Sequence, residues 1–250
     1  MLASSAWRRH IKTALRHFGY ELTRFHPESS AAAQVAAVLR HFHTDLVLDV
    51  GANQGQYGLS VRAMGYRGRL LSFEPLSLAH RELQACASGD ALWQVHPRCA
   101  IGDHAGEVAL HIAGNSVSSS VLPMLEQHLA AAPQSRTIGS ETVPVMRLDE
   151  AAAQAVAQAR SPYLKIDTQG FEAPVLRGAC KLLPACQAVQ LELSLVPLYE
   201  GQELWDYFVP LMAERGFVLW SVLPGFVDAS SGRTLQVDAI FVRPGAAPAP

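Results

Sequence analysis

Four short stretches of this 250-residue chain carry residue types that can do chemistry together. Asp49-Val50-Gly51-Ala52-Asn53-Gln54-Gly55 follows an apolar strand and sets two glycines behind an acid. A glycine-bent loop between a strand and a helix N-terminus lets main-chain N–H groups come close to a ligand. Glu74 closes the next strand in Ser72-Phe73-Glu74-Pro75, and an ionised carboxylate offers two acceptor oxygens to a pair of hydroxyls. Further on, Asp167 in Lys165-Ile166-Asp167 and Glu192 in Gln190-Leu191-Glu192 end two more strands. All four stretches fall at C-terminal strand ends, where open α/β sheets bind their ligands.

The loop spacing D-x-G-x-x-x-G differs from the dinucleotide fingerprint G-x-G-x-x-G, whose second glycine makes room for a pyrophosphate. Asn53 stands in that place. A nucleoside cofactor without phosphate fits better, and S-adenosylmethionine is one. Asp49 suits its ammonium, directly or through water, and the N–H groups of the bend suit its carboxylate. Glu74 suits the ribose diol, and Asp103, just past a third strand, the adenine amino group. Gly51, Ala52, Asn53, Gly55, Pro75 and Ile101 complete the expected cofactor contacts. The plainer alternatives are a tight βα connection and strand-end acids that cap helices.

Three roles are open to Asp167 and Glu192: general base, hydrogen-bond acceptor for a sugar-like diol, or ligand to a divalent cation such as Mg²⁺ that lowers a hydroxyl pKa. Against these stands a local role, with Asp167 capping the following turn and Glu192 pairing with an arginine. Lys165, inside an apolar strand, is ambiguous. The ten histidines, His41, His43, His96, His104 and His111 among them, show no H-x-x-x-H or H-E-x-x-H spacing and read as packed or exposed residues.

These residues need a scaffold, and with 49% hydrophobic content the chain can bury a full core. From Val35 onward the pattern alternates strand and helix, as in an α/β fold with a mainly parallel sheet. Strands are predicted at 46–50, 70–73, 93–101, 107–112, 142–147, 163–166, 188–193, 217–222 and 237–242. Helices are predicted at 57–64, 76–87, 148–159, 172–183 and 204–215. The pattern lapses over residues 115–144, which read as a lid or substrate loop with a helical stretch at 122–131.

Net charge is −2, which gives the whole molecule no electrostatic case for wrapping nucleic acid. Residues 1–27 nonetheless carry Arg8, Arg9, Lys12, Arg16 and Arg24 against Glu21, a local balance of +4. With Trp7, Ile11, Leu15 and Phe18 at helical spacing, this segment either packs its apolar stripe on the domain or lies on an anionic membrane or a partner. It lacks the apolar run and cleavage site of a signal peptide. No window is long and apolar enough for a bilayer span. Cys86, Cys99, Cys180 and Cys186 show no metal-binding rhythm and read as reduced, cytosolic residues. The organisation expected is a basic segment at 1–30, one domain at 31–243 and a loose Pro/Ala tail at 244–250. The expected location is the cytoplasm, with contact at the inner membrane through residues 1–27 and self-association left open.

Asp49 to Gly55, Phe73-Glu74-Pro75, Asn115 with Ser118-Ser119-Ser120, Lys165-Ile166-Asp167 with Gly170-Phe171-Glu172, and Glu192-Leu193-Ser194 with Pro197 to Gln202 together resemble the FkbM family of methyltransferases. The resemblance runs in order from about Leu46 to Val242. It implies a Rossmann-like class I methyltransferase fold: a mainly parallel seven-stranded sheet with helices on both faces, here with an N-terminal helical extension. It also implies S-adenosylmethionine-dependent O-methylation of hydroxyls on sugars, glycans or secondary metabolites. By the same resemblance Asn115, Ser118, Ser119 and Ser120 lie near cofactor or acceptor, and Tyr199 and Gln202 near the acceptor. The chain departs at Thr168-Gln169, where many relatives carry an acid before the glycine, so one possible metal ligand is neutral. The competing classes are a dinucleotide-binding oxidoreductase, disfavoured by Asn53, and a non-catalytic module recruited by its basic N-terminal segment.

Overall fold

The computed structural model describes residues 3–245; the end of the Pro/Ala tail, 246–250, and the side chain of Arg8 lie outside the described residues. Helix α1 (Ala3–His17) leads through an exposed stretch to α2 (Ala31–His41), whose N-cap Ser30 accepts a hydrogen bond from Ala33 N. Strand and helix then alternate through β1 (Leu46–Val50), α3 (Gln56–Ala63), β2 (Arg69–Phe73), α4 (Ser77–Ala87) and β3 (Trp93–Val95). An insertion follows: β4 (Ala100–Gly102), β5 (Gly106–Ala113), α5 (Glu126–Ala131) and β6 (Thr137–Arg147). Short helices α6 (Leu148–Ala151) and α7 (Ala153–Ala157) return the chain to β7 (Pro162–Ile166), α8 (Glu172–Gly178), β8 (Ala188–Ser194), α9 (Trp205–Glu214), β9 (Val218–Pro224) and β10 (Gln236–Val242).

Seven strands form one sheet in the order β3-β2-β1-β7-β8-β10-β9, parallel except for β10, which runs antiparallel between β8 and β9. The chain winds outward from β1 to β3 and returns beside β1 as β7, so the topological switch point lies between β1 and β7. Every residue of β1 is buried, as a strand covered on both faces requires. Leu46, Leu48 and Val50 pack with Leu176 and Phe208 on one face, while Val47 packs with Val38, Val61, Leu83 and Trp93 on the other.

The predicted strand at 93–101 is in fact two. Its first part pairs with β2 in the main sheet, whereas β4 leaves to pair with β6 in a second sheet of order β4-β6-β5. His96-Pro97-Arg98-Cys99 carries the chain between the two sheets, and a proline there is compatible with a bend but not with a continuous central strand. The stretch read as a lapse is partly regular, because β6 starts at Thr137 and forms a long hairpin with β5. The alanine-rich helix at 148–159 breaks at Ala152, and α8 ends at Gly178 rather than continuing to residue 183.

Trp7 on α1 and Phe18 just past it are 67% and 74% exposed, Ile11 and Leu15 between them are half-buried, and Tyr20, Leu22 and Phe25 further on are exposed. Among the described residues no helix is long and apolar enough to cross a membrane. All four cysteines are free, with Cys99 and Cys186 buried and Cys86 and Cys180 exposed.

Candidate active site

A cavity of about 640 Å³ opens at the C-terminal ends of β1, β2, β7 and β8 and reaches the inserted segment. One end is lined by Gly51, Ala52, Asn53, Phe73, Glu74, Pro75 and Ile101. The other is lined by 115–121, Asp167, Gln169, Glu192, Gln236 and Asp238.

The bend after β1 is dictated by Gly51. Its φ is +81°, and a Cβ there would lie 1.8 Å from the carbonyl oxygen of Asp167, so only glycine lets β1 turn beneath the end of β7. The N–H groups of the bend are already used: Gly51 and Ala52 donate to Phe73 O, Asn53 to Glu74 Oε2, Gln54 to Asn53 Oδ1, and Gly55 to Ala52 O. The expectation that they take a ligand carboxylate is therefore corrected, since the open donors lie one step further on, in the first turn of α3 beside Gln56 and Tyr57. Gly55 sits off the cavity, against Leu83 and Trp93.

Glu74 is 5% exposed and each of its oxygens accepts one main-chain N–H, Oε2 from Asn53 and Oε1 from Leu76, both at 2.7 Å. Each keeps a second lone pair. Asp103 is elsewhere. Its carboxylate accepts from Arg177 Nε at 2.9 Å and lies 2.8 Å from His104 Nδ1, off the cavity wall, so the adenine role predicted for it is withdrawn while Ile101 keeps its place.

Asn115 and Ser118, Ser119 and Ser120 do reach the cavity, and hydrogen bonds fix them as its wall. Asn115 Nδ2 donates to Ser118 Oγ and Ser135 Oγ, Ser119 Oγ accepts from Ala113 N, and Ser120 Oγ donates to Gln169 O. Tyr199 and Gln202 stand behind that wall. The Tyr199 hydroxyl faces Ser118 O at 3.0 Å and Gln169 Oε1 at 2.9 Å, and Gln202 Oε1 accepts from the N–H groups of Leu198 and Tyr199. They support the cavity wall rather than line it.

Beneath the acceptor end lies a buried ion cluster. Lys165, 5% exposed, places Nζ 3.3 Å from Asp49 Oδ1 and 3.2 Å from Asp167 Oδ2, with the Tyr57 ring 5.1 Å away. Asp49 is held chiefly by the Lys165 ammonium, with Ser72 beside it, and it does not line the cavity. Glu192 meets no arginine; two amides, Gln169 Nε2 at 2.6 Å and Gln236 Nε2 at 2.9 Å, donate to its Oε2. Asp238 lies opposite Glu192 in the β8–β10 register and accepts from Gln190 Nε2.

Sequence reasoning missed Asp238, Gln236, Gln169 and His128 as site residues. His128, 2% exposed on α5, lines the cavity with its ring tilted against Phe226 and edge-on to Tyr199. No spacing rule marks it, because its neighbours lie 71 and 98 positions away.

Residues 49–219 match the Methyltransferase FkbM domain. The chain belongs to the FkbM methyltransferase family. Its sheet is the Rossmann-like class I fold, and it is an S-adenosylmethionine-dependent methyltransferase. A comparison with curated proteins gives no match. Among solved structures, the chain is similar to fibrillarin from Aeropyrum pernix with natively bound S-adenosyl-L-methionine (13% identity, 84% of this chain and 74% of that one, TM-score 0.46). It is also similar to magnesium protoporphyrin IX methyltransferase from Synechocystis with bound cofactor (12% identity, 85% and 77%, TM-score 0.43).

The residues present fit the family's cofactor: a buried carboxylate with spare lone pairs, Glu74, faces a cavity floored by an obligatory glycine. They do not fit Mg²⁺. Among the described residues no group of three or more His, Cys, Asp and Glu is placed to hold a metal ion, and Lys165 and Gln169 already point N–H groups at the two carboxylates proposed as ligands.

Electrostatics in this FkbM site follow from burial. Desolvation lifts Glu74 to about 7 against the pull of the Leu76 and Asn53 N–H groups. Burial also raises Glu192, reinforced by Asp167 and Asp238. Glu172 is pushed to about 7 by burial while its Oε1 accepts from Thr168 N, Thr168 Oγ1 and Gly170 N, which pins the loop after Asp167. Burial alone would depress Lys165, but Asp167, Asp49 and Asp238 more than reverse it and hold it charged.

Removing that charge leaves a buried carboxylate uncompensated, so Lys165→Met should cost about 3–5 kcal/mol in urea unfolding, with Asp49→Asn added to it recovering part of the loss. Glu74 sets a second expectation. If the ionised carboxylate accepts from the ribose hydroxyls, as its sequence position predicts, calorimetric affinity for S-adenosylmethionine should fall as pH drops through about 7, and Glu74→Gln should flatten that slope.

Proposed function

We propose that this methyltransferase acts on oxygen, transferring its methyl group to a hydroxyl of a sugar, a glycan or a hydroxylated secondary metabolite, with Glu192 taking up the hydroxyl proton. The single observation carrying this reading is the arrangement of Glu192. Both of its amide donors land on Oε2, leaving Oε1 for the acceptor in a cavity where burial makes the group a stronger base than a free carboxylate. Asp167, fixed between Lys165 and Gln169, and Asp238 beside it supply acceptors for a neighbouring hydroxyl. When bound, S-adenosylmethionine supplies an electrophilic methyl carbon on a cationic sulfur that becomes neutral on transfer. Asp167 and Asp238 disfavour a further ionised carboxylate beside them, which favours retention of the proton on Glu192.

Three carboxylates at the acceptor end repel a phosphate backbone, which supports a small molecule or glycan over nucleic acid. A dinucleotide-binding oxidoreductase is not retained. For location we propose the cytoplasm, which suits four free cysteines, with the N-terminal segment resting on the inner membrane. The favouring observation is the exposure of Trp7, Phe18, Tyr20 and Phe25 among Arg9, Lys12 and Arg24, an amphipathic and cationic surface of the kind that enters anionic headgroups.

Glu192→Gln should bind S-adenosylmethionine normally by calorimetry yet lose transfer by about a hundredfold or more, read as the one-CH₂ mass gain across a panel of nucleotide sugars and glycans. Undiminished transfer would remove Glu192 as the base. For the membrane proposal, the intact chain should float with phosphatidylglycerol vesicles but not with phosphatidylcholine vesicles, and a Trp7→Ser/Phe18→Ser variant should float with neither. Equal flotation of variant and parent would sink the idea.

A further inference from the structure

One uncharged group sits between the two carboxylates at the acceptor end. Gln169 Nε2 donates to Asp167 Oδ1 at 2.8 Å and to Glu192 Oε2 at 2.6 Å, which uses both of its hydrogens. The orientation of the amide follows from chemistry, since a flipped amide would aim its carbonyl oxygen at two carboxylates. On the other side Gln169 Oε1 faces the Tyr199 hydroxyl at 2.9 Å. The main chain is held as firmly: φ at Gln169 is +55°, a left-handed conformation uncommon for a residue other than glycine, and its carbonyl accepts from Ser120 Oγ at 2.7 Å. A strained residue pinned from three directions in a cavity points to a role there.

We infer that the Gln169 carboxamide does, between Asp167 and Glu192, what a divalent cation would otherwise do: it draws two like-charged groups to one point and holds Glu192 in place, so the site works without a metal. The inference rests on the reading that Glu192 receives the acceptor proton, and it makes Gln169 a positioning residue. Two carboxylates completed by water would suit Mg²⁺ or Mn²⁺. Here the space for the ion is filled by a nitrogen carrying its hydrogens outward, and Lys165 Nζ takes the other Asp167 oxygen.

The test needs no acceptor. Mn²⁺ alone is titrated into the full-length protein and followed by electron paramagnetic resonance and by thermal unfolding. The parent should show no site that depends on Asp167. Gln169→Ala vacates the space and Gln169→Glu adds a third carboxylate, so both should gain one Mn²⁺ site, with Gln169→Glu at least about tenfold tighter than Gln169→Ala. Adding Asp167→Asn should abolish the gain in either. A merely structural glutamine would lose stability on substitution without creating a cation site. Stoichiometric Mn²⁺ binding by the parent, lost in Asp167→Asn, would overturn the inference, and so would the absence of any gain in both folded variants. Transfer by Glu192→Gln is measured separately, so failure of the proton-acceptor reading shows in that assay and not in this one.

Discussion

The buried ammonium of Lys165 is the constraint around which this site is built. β1 and β7 are parallel neighbours with Asp49 and Lys165 in register, so the lysine rises at the switch point of the sheet, between its β1–β3 half and its β7–β10 half. Its charge is satisfied by one carboxylate from each half, Asp49 and Asp167. The low dielectric that makes this pairing strong makes any unpaired member costly, so the three residues stand or fall together. Asp49 thus belongs to the frame of the site, although its position two residues before Gly51 suggests a ligand contact.

A second linkage works through contact rather than charge. The turn at Gly51 passes so close to the Asp167 carbonyl that a single methyl group would separate them. The loop after β1 and the end of β7 that carries Asp167 are therefore packed as one unit, and preorganisation of this kind supplies much of the rate in a displacement reaction. Glu172 fastens the far side of the same unit by accepting from Thr168 and Gly170.

Much of this was legible from residue order. Apolar runs such as Leu46–Val50 and Tyr163–Ile166 announce buried parallel strands, and the acids that follow them mark the ligand-binding edge. The misreadings have physical reasons. Asp103 follows a strand as a cofactor acid would, but Arg177, 74 positions away, claims it. The stretch 93–101 is apolar enough for one strand, and only the three-dimensional path shows that it serves two sheets. Asp238 sits in an ordinary alternating strand, and its meeting with Glu192 depends on an antiparallel register that no local pattern encodes. The bend N–H groups look free for a ligand in the sequence because the partners of Gly51, Ala52 and Asn53, the Phe73 carbonyl and the Glu74 carboxylate, come from the end of a different strand.

The placement of β10 between β8 and β9 has a consequence for how the chain is made. Among the described residues β9 pairs with no strand but β10, so during synthesis it leaves the ribosome before its partner exists. Until Gln236–Val242 follows, β8 is an open edge, Glu192 lacks the Gln236 amide, and β9 has no strand to pair with. The nascent protein thus passes through a window in which the cavity wall around Glu192 is half-built. Pairing with β10 satisfies one side of β9, while its other edge and the apolar side chains of Val218, Leu219, Trp220 and Val222 stay at the surface of the finished sheet.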